Sequence, residues 1–418
     1  MKIKQIKKNY SEVMAFPKAK HYNPKRPRWL FPTLVRLLSV GVLRKTQFEY
    51  STDYAEILDK GPCLILMNHS SFIDLQMASK ILYPRKYNIV CTTDGLVGKK
   101  WLMQRLGCFP TKKFVSDMTL IRDIKYALNG GTHVLMYPEA GYSFDGRSTP
   151  LPKRLGAFIK MLNVPVVTII TSGAFAYQPL YNGLIKRKVK TSAHVKCLFT
   201  KGQTQKLTTE ELSAKIEEDF SFDNFKHQQE NMIKIDHPKR AEGLERILYK
   251  CPHCKTENKM VGKGAVIECK ECGKSYTLTE YGFLSAKSGE TEFKHIPDWF
   301  EWQREEVKRE IMQGEYLLDT EVNIGLMVDY KGLYMVGKGR LMHNKDGFML
   351  TGAKGQLNYT QPVTASYTLN SDFFWYEIGD VIGIGDSDCL YYCFPPKGVS
   401  VCKARLATEE LYKLAKQK

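Results

Sequence analysis

The sequence predicts three modules in series: an α/β domain with a mostly parallel sheet and covering helices, a small four-cysteine ribbon, and a mainly β domain closed by a helix. Three observations carry this. Short apolar runs alternate with helical spacing between residues 61 and 175, two Cys-x-x-Cys pairs begin at Cys251 and Cys269, and from about residue 315 short alternating runs are broken by turn signals. At 418 residues, with 43% hydrophobic and 25% charged residues, the chain is long enough for more than one core. The expected boundaries are 1–46 for a basic leading segment, then 47–245, 246–290 and 291–418.

The leading segment is set apart by charge. Residues 1–46 hold twelve Lys or Arg against Glu12 alone, more than half of the net +18. Such a cluster seeks a polyanionic surface, and near anionic lipid each cation contributes about 1 kcal/mol. The apolar run from Trp29 to Leu43 contains Arg36 and is shorter than the roughly 20 residues needed to span hydrocarbon. It is expected to lie in the interface as a helix, with Lys25, Arg26, Arg28, Arg44 and Lys45 at headgroup level. The alternative is a core helix behind a solvated basic tail. A cleaved signal peptide is not indicated, because the apolar run starts late and no small-residue cleavage site follows it. Eleven cysteines, an odd number with four in Cys-x-x-Cys pairs, point to a reducing compartment. The expectation is a peripheral or monotopic protein on the cytoplasmic face of an anionic membrane.

In the α/β region, strands are expected at Cys63 to Met67, Tyr87 to Cys91, His133 to Tyr137 and Pro165 to Ile170. A helix with Ser116 as N-cap carries Met118, Ile121, Ile124 and Leu128 at helical spacing and closes at Gly130-Gly131. Thr208-x-x-Glu211 reads as a capping box for a helix through Phe220, and Asp298-x-x-Glu301 as another for a helix bearing Trp299, Trp302, Val307 and Ile311. Further on, Asp346-Gly347 and Asn370-Ser-Asp372 read as turns, and the last helix as capped by Thr408.

The chemistry begins where the first strand runs into Asn68-His69-Ser70-Ser71-Phe72-Ile73-Asp74. An imidazole and a carboxylate stand five residues apart just past a strand's carboxyl end, where open α/β sheets build their sites. If Asp74 opens the next helix, its carboxylate folds back on one imidazole nitrogen and leaves the other free to take a proton. A neutral imidazole so held suits general-base work on an alcohol, worth about 10² to 10⁴ in rate. The competing reading is an aspartate that only caps a helix and a histidine that satisfies a loop.

Further blocks accompany this one in order: Gly107-Cys-Phe-Pro-Thr-Lys-Lys113, Tyr137-Pro-Glu139-Ala-Gly141-Tyr142-Ser143, Pro152-Lys-Arg-Leu-Gly-Ala-Phe158 and Val164-Pro-Val-Val167. Together, from about residue 60 to 220, they resemble the lysophosphatidate (1-acylglycerol-3-phosphate) acyltransferase family. Lys113 replaces the usual Arg of the second block. The third looks like the family's Phe-Pro-Glu-Gly-Thr-Arg-Ser, with Ala140 and Gly141 in place of Gly-Thr and Tyr142 in place of a phosphate-binding Arg. The resemblance implies that a glycerol hydroxyl of a lysophospholipid, deprotonated by His69 with Asp74 behind it, attacks the thioester of acyl-CoA or acyl carrier protein. The product would be phosphatidate, a step of phospholipid biosynthesis that needs no catalytic cofactor. By the same resemblance the acceptor contacts are Asn68, Lys112, Lys113, Glu139, Gly141 and Ser143, with Arg147 supplying the charge that Tyr142 lacks; Lys153 and Arg154 are further sources. Glu139 is placed at the acceptor or bracing its loop, and backbone amides near Gly141, or near Ser70 and Ser71, are the expected oxyanion donors. The altered third block keeps a different lipid or alcohol acceptor in view.

Cys251-Pro-His-Cys254 and Cys269-Lys-Glu-Cys272, fourteen residues apart, offer four thiolates to one ion, and in a reducing compartment this points to structural zinc. His253 is not expected to be a ligand. Zinc ribbons also occur in nucleic-acid proteins, and Lys250, Lys255, Lys259, Lys263, Lys270 and Lys274 make this one basic. The interleaved aromatics of a single-strand binder are limited to Tyr249 and Tyr276, so nucleic acid is not the expected partner. A noncatalytic scaffold on a retired enzyme fold is opposed by the intact Asn68, His69 and Asp74. The carboxy-terminal strands and final helix resemble a pleckstrin-homology-like module.

Overall fold

The computed structural model describes residues 2–113 and 118–417. Seven strands form the first sheet: β2 (Glu49–Asp53), β3 (Leu64–Met67), β4 (Tyr87–Thr92), β5 (Cys108–Thr111), β6 (His133–Met136), β7 (Val166–Ser172) and β8 (Ser192–Phe199), after a short leading strand β1 (Gln5–Lys7). Their order is β2-β8-β7-β3-β6-β4-β5, and every neighbouring pair is parallel except β7 with β8. The central strand β3 is fully buried. Leu64 and Leu66 enter the core on one face of the sheet, and Ile65 and Met67 the core on the other. Helices must therefore cover both sides, as a parallel sheet requires.

The Thr208 capping box forms as expected, Thr208 Oγ1 accepting from the Glu211 amide at 3.1 Å and Glu211 Oε2 accepting from the Thr208 amide at 2.7 Å. The helix Met118–Asn129 ends at Gly131, whose φ of +76° suits glycine. Its proposed cap, Ser116, lies outside the described residues.

The ribbon has four antiparallel strands, β9 (Met260–Lys263), β10 (Val266–Cys269), β11 (Ser275–Leu278) and β12 (Leu284–Ala286). Its lysines are largely engaged: Lys250 lies among Glu257, Glu306 and Glu310, Lys255 over the Trp302 ring, and Lys274 on the carbonyls of Ser288 and Glu290. Lys255, Lys259, Lys263 and Lys270 remain exposed. The core of the ribbon is continuous with that of the carboxy-terminal domain, and Phe144, Phe175 and Tyr181 of the first domain join it.

The last domain comprises β13 (Leu318–Met327), β14 (Leu333–Asn344), β15 (Gly347–Gly352), β16 (Leu357–Pro362), β17 (Asn370–Trp375), β18 (Gly379–Gly385) and β19 (Leu390–Phe394). Two antiparallel meanders, four strands and three, join through β13 and β19. The helices Ile296–Gln313 and Val401–Gln417 pack together, and the second lies against β17 and β18. Asp346-Gly347 makes the expected hairpin turn between β14 and β15.

Three local readings are corrected. Residues 370–372 form the start of β17 rather than a turn, because they pair with β18. The helix at 296 begins ahead of Asp298, with His295 as N-cap and Pro297 in its first turn. Thr408 lies inside the final helix, its hydroxyl donating to the Ala404 carbonyl; the hydroxyl that caps is Ser400, which accepts from the Lys403 amide.

The leading segment is no free tail. β1 adds in parallel to β14, the Ala19 amide donates to the Val328 carbonyl, His21 bonds Asp123, and the Asn88 amide holds the Lys25 carbonyl. Its helix, Leu30–Lys45, buries Ser39 and Leu43 and leaves Leu30, Leu34, Leu37 and Leu38 exposed, spaced along one face with Trp29 beside them. Lys25, Arg26, Arg28, Arg44 and Lys45 are all exposed around it. Among the described residues no helix is long and apolar enough to cross a membrane.

Candidate active site and metal centre

Asp74 is the first residue of the helix Asp74–Leu82, and its position organises the loop ahead of it. One carboxylate oxygen, Oδ2, accepts from His69 Nδ1 at 2.9 Å and from the backbone amides of Ser70 at 2.9 Å and Ser71 at 3.0 Å. Asp74 is 1% exposed, whereas the His69 side chain retains 22%. Nδ1 therefore carries the proton that the carboxylate accepts, and Nε2 is left to take one from a substrate.

The Ser70 and Ser71 amides are thus occupied, which removes them as oxyanion donors and leaves the Gly141 loop. Asn68 is also taken: its Oδ1 accepts from the Thr171 amide at 2.8 Å and Thr171 hydroxyl at 3.0 Å, and its Nδ2 donates to the Thr171 carbonyl at 3.2 Å. Asn68 fastens the histidine loop to β7.

Glu139 braces the same loop from the other side. Its Oε2 accepts from the His69 amide at 2.7 Å, and its Oε1 from the Thr149 amide at 2.8 Å and hydroxyl at 3.2 Å. Burial pushes its carboxyl up to about 7, against the pull of those hydrogen bonds. The turn after it explains one altered position. Ala140 adopts φ +54°, a left-handed conformation that glycine enters freely and alanine enters at a cost of about 1 kcal/mol.

The sequence did not reveal how this loop treats the imidazole. Tyr137 and Tyr142 lie on either side of the His69 ring, each 4.1 Å from it between centroids. Two π faces hold the ring plane and favour the imidazolium that general-base catalysis creates. Burial drives both phenols well above their ordinary range, so they stay neutral. The signal was present in Tyr142, noted only as a missing arginine.

The remaining acceptor candidates separate. Ser143 Oγ donates to the Arg147 carbonyl at 2.5 Å and accepts from the Gly146 amide at 2.9 Å, closing a turn. Arg147 does not replace the missing charge: its Nε donates to Asp145 at 2.7 Å and its Nη2 to Glu301 at 2.9 Å. Lys153 and Arg154 line a separate cleft with Glu210 and Glu217. Lys112 donates to the Ser387 carbonyl. Gly141 and Lys113 are half-buried beside the histidine loop and β5 respectively.

The carboxy-terminal domain packs on this side. Phe373 of β17 packs on Phe144 at 4.4 Å, Arg405 donates to the Tyr142 carbonyl at 3.3 Å and lies over the Phe144 ring, and Asp372 is near enough to bear electrostatically on Lys113 and Tyr142. Nothing in the sequence singled out Asp372 or Arg405.

In the ribbon, the sulfurs of Cys251, Cys254, Cys269 and Cys272 all lie within 4.8 Å of one another, with Cys251 to Cys272 at 3.8 Å and Cys254 to Cys269 at 3.7 Å. Bonds of about 2.3 Å to a tetrahedral ion require sulfurs about 3.8 Å apart, so the four fit zinc. His253 pairs with Glu292 instead.

The family model described as Acyltransferase matches residues 45–172, the stretch that runs from β2 through β7. These residues form an acyltransferase-type domain. Among solved structures the chain is similar to the crystal structure of the 1-acyl-sn-glycerophosphate (LPA) acyltransferase, PlsC, from Thermotoga maritima. The identity is 12% and the TM-score 0.34, over 45% of this chain and 78% of that one. No curated protein matches the sequence.

Proposed function

We propose that the protein is an interfacial O-acyltransferase that moves a fatty acyl group from acyl-CoA or acyl carrier protein to the hydroxyl of a glycerolipid at an anionic, cytoplasm-facing membrane surface. The observation that carries this reading is the His69–Asp74 pair, with Nδ1 held and Nε2 free, inside an acyltransferase-type domain. His69 Nε2 takes the acceptor's hydroxyl proton as the oxygen attacks the thioester carbonyl. The tetrahedral intermediate collapses, the carbon–sulfur bond breaks, and the thiolate leaves with the proton from the imidazolium. The exposed row Trp29, Leu30, Leu34, Leu37 and Leu38, ringed by basic residues, supports seating in the lipid interface. Structural zinc in the four-cysteine site steadies the ribbon beneath the lipid-facing modules. The two meanders and closing helix support a pleckstrin-homology-like reading of the last domain.

The acceptor implied by the sequence resemblance is lysophosphatidate, giving phosphatidate. A second reading, a lipid without a phosphomonoester, is favoured by Arg147 being held by two carboxylates and by Tyr142 being packed against His69. The test is transfer of labelled acyl groups in vesicles by wild type and His69→Ala, with products identified. Wild type is expected to acylate at least one lipid acceptor, and the variant to lose at least about 10²-fold in kcat. Unchanged transfer by the variant would overturn His69 as the base, and no transfer by wild type would overturn the enzyme reading.

A further inference from the structure

Acceptor recognition needs a group that meets the lipid's headgroup next to the reacting hydroxyl, and neither Tyr142 nor Arg147 of the acyltransferase-type domain is placed to supply its charge. Tyr142 stands in the place of an arginine and lies tilted against the His69 ring. Arg147 is closed off by Asp145 and Glu301. What enters the cleft instead comes from the last domain. β17 is held against the histidine loop by Phe373 on Phe144, by Arg405 on the Tyr142 carbonyl and by Lys112 on the Ser387 carbonyl. Just ahead of Phe373 in β17, Asp372 is half-buried in the cleft, and one oxygen accepts from the Phe373 amide at 2.8 Å.

The charges around it are unbalanced. Lys113 is the cation that bears on Asp372, while Asp94 and Asp380 add negative potential. Asp380 is offset by Arg246 at 3.6 Å, and Asp94 bonds the Tyr376 hydroxyl. Burial and these carboxylates push the Asp372 carboxyl up to about 6 even with Lys113 nearby. At neutral pH it is still ionised, and its negative potential offsets that of Lys113, the cation a phosphate would otherwise meet.

We propose that Asp372, delivered by the carboxy-terminal domain, selects the acceptor by charge: it disfavours a phosphomonoester beside the reacting hydroxyl and favours a glycerolipid whose headgroup carries no net negative charge. The assignment rests on the transferase reading above. A dianion brought within about 6 Å of a carboxylate at an effective dielectric near 20 meets repulsion large enough for a tenfold discrimination.

The experiment measures acyl transfer by the full chain to lysophosphatidate, lysophosphatidylcholine and monoacylglycerol. The vesicles hold a constant fraction of anionic lipid, so that membrane recruitment does not vary. Wild type is expected to use one of the two acceptors without net negative charge with kcat/KM at least about tenfold above that for lysophosphatidate. Asp372→Asn is expected to shift that ratio about tenfold toward lysophosphatidate, mainly through KM, and Asp372→Glu to keep the wild-type ratio. A wild-type preference for lysophosphatidate overturns the inference whatever the variants do. So does an Asp372→Asn variant that lowers all three activities by one factor, since that is the mark of a structural role. Transfer to none of the three sinks the transferase reading itself, an outcome distinct from transfer without charge selection.

Discussion

The two walls of the proposed active site are built in different ways. The base wall is local: from Asn68 to Asp74, seven consecutive residues supply the histidine, its carboxylate and the amides that hold that carboxylate. The acceptor wall is assembled from segments more than 200 residues apart, with Lys113 after β5, the turn from Tyr137 to Arg147, and Asp372 and Arg405 of the last domain. Their cores differ in the same way. β3 sits between two cores contained within the first domain, whereas Phe144 belongs to a core that runs through the ribbon into the β domain. On the proposed reading, a local base wall keeps the chemistry while an acceptor wall drawn from another domain leaves the specificity free to change.

The largest test of that contrast strikes the frame of the acceptor wall. Arg304 is 13% exposed and donates to Glu409 at 2.6 Å and Glu410 at 3.1 Å, tying the helix Ile296–Gln313 to the helix that carries Arg405. Burial pushes the Glu409 carboxyl up, yet Arg304, Arg405 and Thr368 hold it below its usual range. Arg304→Ala leaves that carboxylate buried beside a vacated cation, and is expected to destabilise the protein by roughly 3–5 kcal/mol in denaturant unfolding. A loss below about 1 kcal/mol would show that the last domain does not depend on this tie.

The same contrast explains what was legible from sequence. The histidine and aspartate five residues apart, the strand before them, the Thr208 box and the cysteine spacing are all short-range, and each formed as read. Asn68, Ser143 and Arg147 were read as acceptor contacts from the resemblance alone; the partners that hold Asn68 and Arg147 in the fold, Thr171 and Glu301, are distant in sequence and could not be read locally, whereas Ser143 closes its own turn. Residues 370–372 have turn-forming side chains, but pairing with β18 outweighs local preference. Thr408 offered a capping residue type, and the helix simply began a turn and more earlier, at Val401. Asp372 was invisible because nothing within its own strand marks it; its meaning comes from the domain opposite.

On the base wall, Asp74→Asn separates charge from geometry. The Ser70 and Ser71 amides both donate to Oδ2, so they hold the asparagine's carbonyl oxygen at that position and the His69 tautomer is retained. What is lost is the negative charge that stabilises the imidazolium. We expect kcat to fall about 10²-fold, near 3 kcal/mol, with KM and the ratio among acceptors unchanged. A change in acceptor ratio would break the division between the walls.

Glu139 joins the walls, accepting from His69 on one and Thr149 on the other, and it gives the smallest predicted effect. Its folded pKa of about 7 lies above the ordinary 4.5, so the protonated form is favoured by the fold. A carboxyl raised in this way contributes stability that is fully present below about pH 4.5 and lost as pH rises through about 7. Linkage puts the loss at about 2 kcal/mol between pH 5 and 7.5. The stability difference between wild type and Glu139→Gln, measured by denaturant unfolding across that range, isolates this group because the other titrations cancel. The difference should move against wild type as pH rises. A flat difference would mean that the three donors aimed at Glu139 outweigh its burial, and that the brace between the walls is a carboxylate throughout.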